Sequence, residues 1–230
     1  MRRALSWLGR GLVVALLLLL FWQAVIFTQV IWWSRFDPGS TSFMRMRLAE
    51  LRKTEPKAQL RHEWVPYERI SLHLKRAVVA AEDDRFLDHQ GFDWEGIQRA
   101  LERNAERGRL AAGGSTISQQ LAKNLFLSPS RSWLRKGQEA VITLMIEATW
   151  DKRRILEVYL NVAEWGNGVF GAEAAARHYY GRSAASLGPS EAARLAVMLP
   201  NPRLYEHRFG PRMAAHASRV QRRMIHSQVP

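Results

Sequence analysis

Leu12 to Trp33 contains no charged side chain, and that run constrains the rest of the chain more than any other feature. At ~1.5 Å per residue it spans roughly 33 Å as a helix, enough to cross the ~30 Å hydrocarbon core of a bilayer. Fourteen of its residues are Leu, Ile, Val or Phe. At ~0.3–0.6 kcal/mol each, these favour insertion by roughly 4–8 kcal/mol, partly offset by Gln23, Thr28 and Gln29. A cleaved signal peptide would have a shorter apolar core of ~7–15 residues, followed by a small-residue cleavage site. Here the run ends in Ile31-Trp32-Trp33, an aromatic pattern suited to an interface. The segment reads as an uncleaved anchor. Arg2, Arg3 and Arg10 before it favour a cytoplasmic N-terminus, which places the remainder on the outer side of the inner membrane.

The expected organisation is a cytoplasmic N-terminus over 1–11, the anchor over 12–33, a stalk and membrane-proximal segment over 34–63, and one globular domain over 64–230. Cysteine is absent, which rules out disulfides, a thiol nucleophile and a cysteine-ligated metal. The formal charge of +13 points to an anionic partner: nucleic acid, an anionic membrane surface or a phosphate-bearing substrate. Phe43, Met46 and Leu51 share one face of a basic helix carrying Arg45, Arg47, Arg52 and Lys53. That helix either lies on anionic headgroups or packs on the domain. Further helices are expected over Trp94–Arg107, Thr116–Phe126, Trp133–Trp150, Arg153–Val162, Ala172–Tyr180, Glu191–Leu199 and Pro211–Ile225. Glu164–Gly171 reads as a glycine-punctuated loop, and no period-2 strand is evident. The fold class is mainly α.

The chemistry concentrates in three blocks. Leu74, Ala77, Val78 and Ala81 repeat at helical spacing and lead into Glu82-Asp83-Asp84-Arg85-Phe86-Leu87-Asp88-His89-Gln90-Gly91. Glu82 therefore stands where a buried helix emerges, a position in which desolvation raises a carboxylate toward general-base range. The second block, Gly113 to Asn124, puts glycines before a helix opened by the Thr116-Ile117-Ser118-Gln119 capping box, with Lys123 further along it. In the third, Arg131, Arg135 and Lys136 cluster before Glu139, with Arg135 and Glu139 spaced as an i, i+4 ion pair. A guanidinium and ammonium cluster of this kind suits a diphosphate. Glu157 and Asn161 read as structural. Asp83, Asp84, Asp88 and His89 lack metal-ligand spacing, so no dedicated metal centre is expected.

In this order, and together with Lys152–Asn161 and Gly171–Gly181, the blocks closely resemble the peptidoglycan glycosyltransferase family, which also supplies the N-terminal domain of class A penicillin-binding proteins. The resemblance covers roughly residues 64 to 205. With no room for a transpeptidase domain before Pro230, the expected relatives are the monofunctional members of Gram-negative inner membranes. It implies a lysozyme-like helical lobe with a smaller, membrane-associated jaw subdomain. It implies polymerisation of lipid II into β-1,4-linked glycan by inverting transfer, with a growing strand and undecaprenyl diphosphate as the other species in the cleft. Glu82 matches the family's general base and Glu139 its second glutamate. Lys123 and Arg131 match the cations that hold the diphosphate, and Ser115, Gln119, Gln120, Arg135 and Lys136 match substrate-contacting positions. Gln138 stands where some members carry lysine. No cofactor is required by the residues; a divalent cation, magnesium or manganese, at the diphosphate stays open. Cell-division or elongation proteins are the partners such a role suggests, and nucleic acid is not expected.

Two other classes compete. A muramidase-type hydrolase would flank one bond with carboxylates ~5–9.5 Å apart, but it leaves the cations and the anchor unexplained. A tethered nucleic-acid binder accounts for the charge but lacks a reading element. A non-catalytic cell-wall scaffold fits poorly with the retained glutamates and cations.

Overall fold

A computed structural model describes residues 2–107, 114–130 and 132–230. It divides into two compact units, Met1–Asp37 and Pro38–Pro230. The first is a single helix, α1 (Arg2–Trp33). Within it, the 25 residues Gly9–Trp33 are long and apolar enough to cross a membrane. Leu16 to Phe21 present their side chains outward, as a helix in contact with lipid would.

The second unit is built of helices α2 (Ser42–Leu51), α3 (Leu72–Glu82), α4 (Trp94–Arg107), α5 (Ile117–Phe126), α6 (Trp133–Thr149), α7 (Lys152–Val162), α8 (Ala172–Tyr180), α9 (Pro189–Ala196), α10 (Pro202–Tyr205) and α11 (Pro211–Arg223). The mainly α expectation holds, and most helix limits fall within a residue or two of those the sequence suggests. α3 packs on α9 and α11, and α5 packs on α6, α7 and α2. Leu74, Ala77 and Val78 are fully buried, as their spacing requires. On the other side of the core, Ile117, Leu121, Ile142, Ile146, Ile155 and Leu156 are also excluded from water. α2 is therefore a helix packed on the domain.

The glycine-rich stretch after α7 differs from expectation. It is a small hairpin, β2 (Glu164–Gly166) and β3 (Val169–Phe170), not an irregular loop. β3 also pairs in parallel with β1 (Arg61–His62), giving the strand order β1-β3-β2. Strands of two or three residues buried on both faces offer no alternation for a sequence reading to detect. β1 also lies about a hundred residues before its partner β3.

The start of α6 and the exposed side of α4 carry apolar groups in the open. Trp133 and Leu134 are 92% and 90% exposed, with Trp94 and Leu101 exposed on α4.

Candidate active site

Glu82 is the last residue of α3, and the residues after it tie that helix end to the start of α5. Asp83, 7% exposed, accepts two hydrogen bonds. Its Oδ2 takes the Ile117 backbone N–H at 2.9 Å, at the positive end of α5, and its Oδ1 takes His89 Nε2–H at 2.9 Å. His89 Nδ1 in turn accepts from Gly91 N–H at 3.1 Å, so the ring is held as the Nε2-protonated neutral tautomer. Thr116 donates its hydroxyl hydrogen to the Gly91 carbonyl at 2.7 Å and accepts from Gln119 N–H. Gly91 closes the loop at φ 87°, where a Cβ would lie 2.7 Å from Thr143 Cγ2. The first two sequence blocks thus fold into one clamp.

The clamp leaves Glu82 facing a cavity of about 340 Å³ that Arg85, Asp93, Arg99, Ser115 and Arg223 also line. One edge of Glu82 is open to that cavity, while protein surrounds most of the rest. Burial pushes its carboxyl above the usual range, and the Gln120 N–H and Lys123 partly pull it back, while Asp83 pushes it further up. Gln120 Nε2 donates to Glu82 Oε2 at 2.7 Å. Gln120 Oε1 accepts from the Tyr159 hydroxyl at 2.9 Å.

Lys123 follows Gln120 on the same side of α5. Burial lowers its pKa; Glu139 and, more weakly, Glu82 raise it, and Arg135 and Lys136 lower it. The charges therefore form one group. Glu139, 3% exposed, is held by Arg135 Nη1 at 2.6 Å and by Lys136. Lys136 Nζ also lies 3.5 Å from Ser115 Oγ, which brings the third block against the second. Lys123 feels Glu139 more strongly than Glu82.

On the other face of this group, Gln120, Lys123, Asn124 and Tyr159 form one wall of a second cavity of about 460 Å³. Arg47, Glu164 and Arg203 stand on its other walls. The Arg47 guanidinium grips Glu164 through both oxygens, Nε to Oε1 at 2.7 Å and Nη2 to Oε2 at 3.0 Å. Burial raises the Glu164 pKa against the pull of Arg47.

Most of the expected site residues converge here: Glu82, Ser115, Gln120, Lys123, Arg135, Lys136 and Glu139. Gln119 turns the other way. It is 4% exposed, lines neither cavity, and its Oε1 accepts the Thr116 N–H in the capping box. Arg131 lies outside the described residues. Glu157 and Asn161 are structural: Glu157 accepts Tyr67 N–H at 2.9 Å, and Asn161 pairs with both backbone groups of Val65 at 2.9 Å.

A family model described as "Transglycosylase" matches residues 48–227. The chain belongs to the transglycosylase family. Among members of that family, it is 69% identical over 230 residues to a biosynthetic peptidoglycan transglycosylase of Azoarcus sp. (strain BH72), covering 100% of both chains. It is 67% identical, again over 100% of both, to the protein of that name in Aromatoleum aromaticum (strain DSM 19018 / LMG 30748 / EbN1). With its namesake in Dechloromonas aromatica (strain RCB) it shares 60% identity over 228 residues, 97% of this chain and 99% of the other.

Three contributors to this transglycosylase cleft escape a sequence reading. Tyr159 sits among the apolar residues of α7, so its spacing signals only core. Arg47 reads as one of several surface cations, and its partner Glu164 lies 117 residues away. No local pattern could have joined them.

Proposed function

We propose that this chain polymerises lipid II into β-1,4-linked glycan strands by inverting glycosyl transfer, with release of undecaprenyl diphosphate. In this reading, Glu82 accepts the proton of the acceptor's 4-hydroxyl through the oxygen that Gln120 leaves free. The acceptor oxygen attacks C1 of the donor strand from the face opposite its α-linked diphosphate. The C1–O bond to that diphosphate breaks, and the product linkage is β. A positioned base supplies about 10²–10⁴-fold, so most of the acceleration falls to charge stabilisation at the leaving group. Lys123, Arg135 and Lys136, with Arg131 added from the sequence resemblance, are the cations for that task. Buried Glu139 holds Arg135 and Lys136 and raises the Lys123 pKa against the effect of burial. Among the described residues, no group of three or more His, Asp or Glu could hold a metal ion.

We further read α1 as a single-pass anchor in the inner membrane, with the second unit on the periplasmic side. The exposed Trp94, Leu101, Trp133 and Leu134 would enter the outer leaflet and bring the cleft to a substrate whose polyprenyl tail stays in the bilayer.

The observation that carries this reading is a partly open, up-shifted glutamate hydrogen-bonded to Gln120 and next to the Lys123–Glu139–Arg135 group. The test is polymerisation of fluorescent lipid II by detergent-solubilised protein, wild type beside Glu82→Gln. A lysozyme-sensitive ladder from wild type alone supports the reading. Cleavage of preformed glycan without a ladder would move the protein to the hydrolases.

A further inference from the structure

Three hydrogen-bonded side chains form a relay across three helices: Tyr159 on α7, Gln120 on α5 and Glu82 at the end of α3. The middle member is an amide, whose two ends are chemically opposite but almost the same shape. Which end faces Glu82 decides what the base meets. With Nε2 forward, Gln120 donates to Glu82 and favours the ionised form. With Oε1 forward, it repels a carboxylate and accepts from a carboxylic acid, favouring the protonated form. Glu82 alone does not fix this choice, because each of its protonation states suits one orientation.

We infer that Tyr159 is a positioning residue for the transfer reaction: its hydroxyl holds Gln120 Oε1 and so keeps the amide donor turned to Glu82. Tyr159 is 1% exposed, so its O–H has every reason to be paired inside the protein, and Gln120 Oε1 lies 2.9 Å from it. Burial and the negative charges of Glu82 and Asp83 push the phenol well above its usual range, so it remains a hydrogen-bond donor at any working pH. The relay then polarises in one direction, from Tyr159 to Gln120 to Glu82. The other charged groups facing Glu82 are Lys123 from α5 and Asp83 at its own helix end. Across the cavity stand Asp84, Arg85, Asp93, Arg99 and Arg223. None of these contacts the Gln120 amide among the described hydrogen bonds, so the orienting role falls to Tyr159.

This inference rests on Glu82 being the base, and the experiment separates the two. Lipid II polymerisation is followed as a function of pH for wild type, Glu82→Gln, Tyr159→Phe, Gln120→Ala and the double variant Tyr159→Phe/Gln120→Ala. Phenylalanine keeps the ring and removes only the hydroxyl. The expected result for Tyr159→Phe is a kcat about 3–10-fold lower near neutral pH, with KM within about two-fold of wild type. Its acid limb moves up by about 0.5–1 pH unit, and activity recovers at higher pH. In the Gln120→Ala background, the same substitution has no further effect on the limb. A merely structural role would lower activity equally at every pH, and that result overturns the inference. An unmoved limb, or a shift that adds in full to that of Gln120→Ala, also overturns it. If Glu82→Gln polymerises as well as wild type, the base assignment itself fails. An inactive Glu82→Gln with an unmoved Tyr159→Phe limb removes only the role of Tyr159.

Discussion

Replacing Asp83 by asparagine tests the clamp that joins α3 to α5. The carboxylate accepts Ile117 N–H on one oxygen and His89 Nε2–H on the other. Asparagine offers one acceptor and one donor. If its oxygen stays on Ile117, its NH₂ faces the His89 N–H. Moving the His89 proton to Nδ1 relieves that clash but sets it against Gly91 N–H. Every arrangement leaves one buried donor without an acceptor, at ~1–3 kcal/mol. Loss of the negative charge at the N-terminus of α5 adds ~0.3–1 kcal/mol. The sum is about 1.5–4 kcal/mol. For a domain of this size that lowers the melting temperature by roughly 3–15 °C. Thermal unfolding of the full chain in detergent micelles, followed by circular dichroism, measures it. Asp84→Asn is the control: Asp84 is exposed and takes a 3.2 Å bond from Ser227, so its change stays within about 0.5 kcal/mol. If Asp83→Asn melts within about 1 °C of wild type, the clamp does not bear on stability and the reasoning is wrong.

Other outcomes follow from the same geometry. Burial makes folded Glu82 hold its proton more tightly than the unfolded chain does, so stability falls as pH rises through its raised pKa. Glu82→Gln should therefore melt above wild type at neutral and higher pH, the gap closing on acidification; a gap that widens in acid contradicts this. Gly91→Ala combines a left-handed backbone, ~1–2 kcal/mol, with an overpacked Cβ 2.7 Å from Thr143 and 3.1 Å from Glu147, ~1–3 kcal/mol. Urea unfolding should show a loss of about 2–5 kcal/mol. Arg47→Ala leaves Glu164, 8% exposed, without its bidentate partner, an expected loss of ~3–5 kcal/mol that Glu164→Gln in the same chain should largely restore. Removing the Glu139 charge takes away the largest influence holding Lys123 protonated. The alkaline limb of polymerisation in Glu139→Gln should fall at lower pH than in wild type, as pH–rate profiles would show.

The parts of the site legible in the sequence are those written locally. Leu74, Ala77 and Val78 announce α3 by spacing, and they deliver Glu82 to the surface at its end. Thr116 and Gln119 announce the start of α5. Gln119 also shows the limit of that reading: the same glutamine fits a helix cap and a substrate contact, and its geometry here is that of the cap. Arg135 and Glu139 are spaced as an ordinary helix pair, and only the approach of α5 makes them a charge group around Lys123. What joins distant elements stays hidden. Tyr159 reaches Gln120 across 39 positions and Arg47 reaches Glu164 across 117, with no periodicity linking either pair. The sheet is hidden for the same reason, since β1 pairs with a strand more than a hundred residues later.

The place of Arg47 also bears on where a water-soluble fragment should be cut. A cut at the apparent start of the globular part, near Trp64, would remove all of α2 and expose the side of α5 on which it packs. It would also strip the second cavity of one wall, so that affinity measured on such a fragment would not be that of the intact unit. Beginning the fragment at Pro38, where the second compact unit starts, discards α1 and retains that wall.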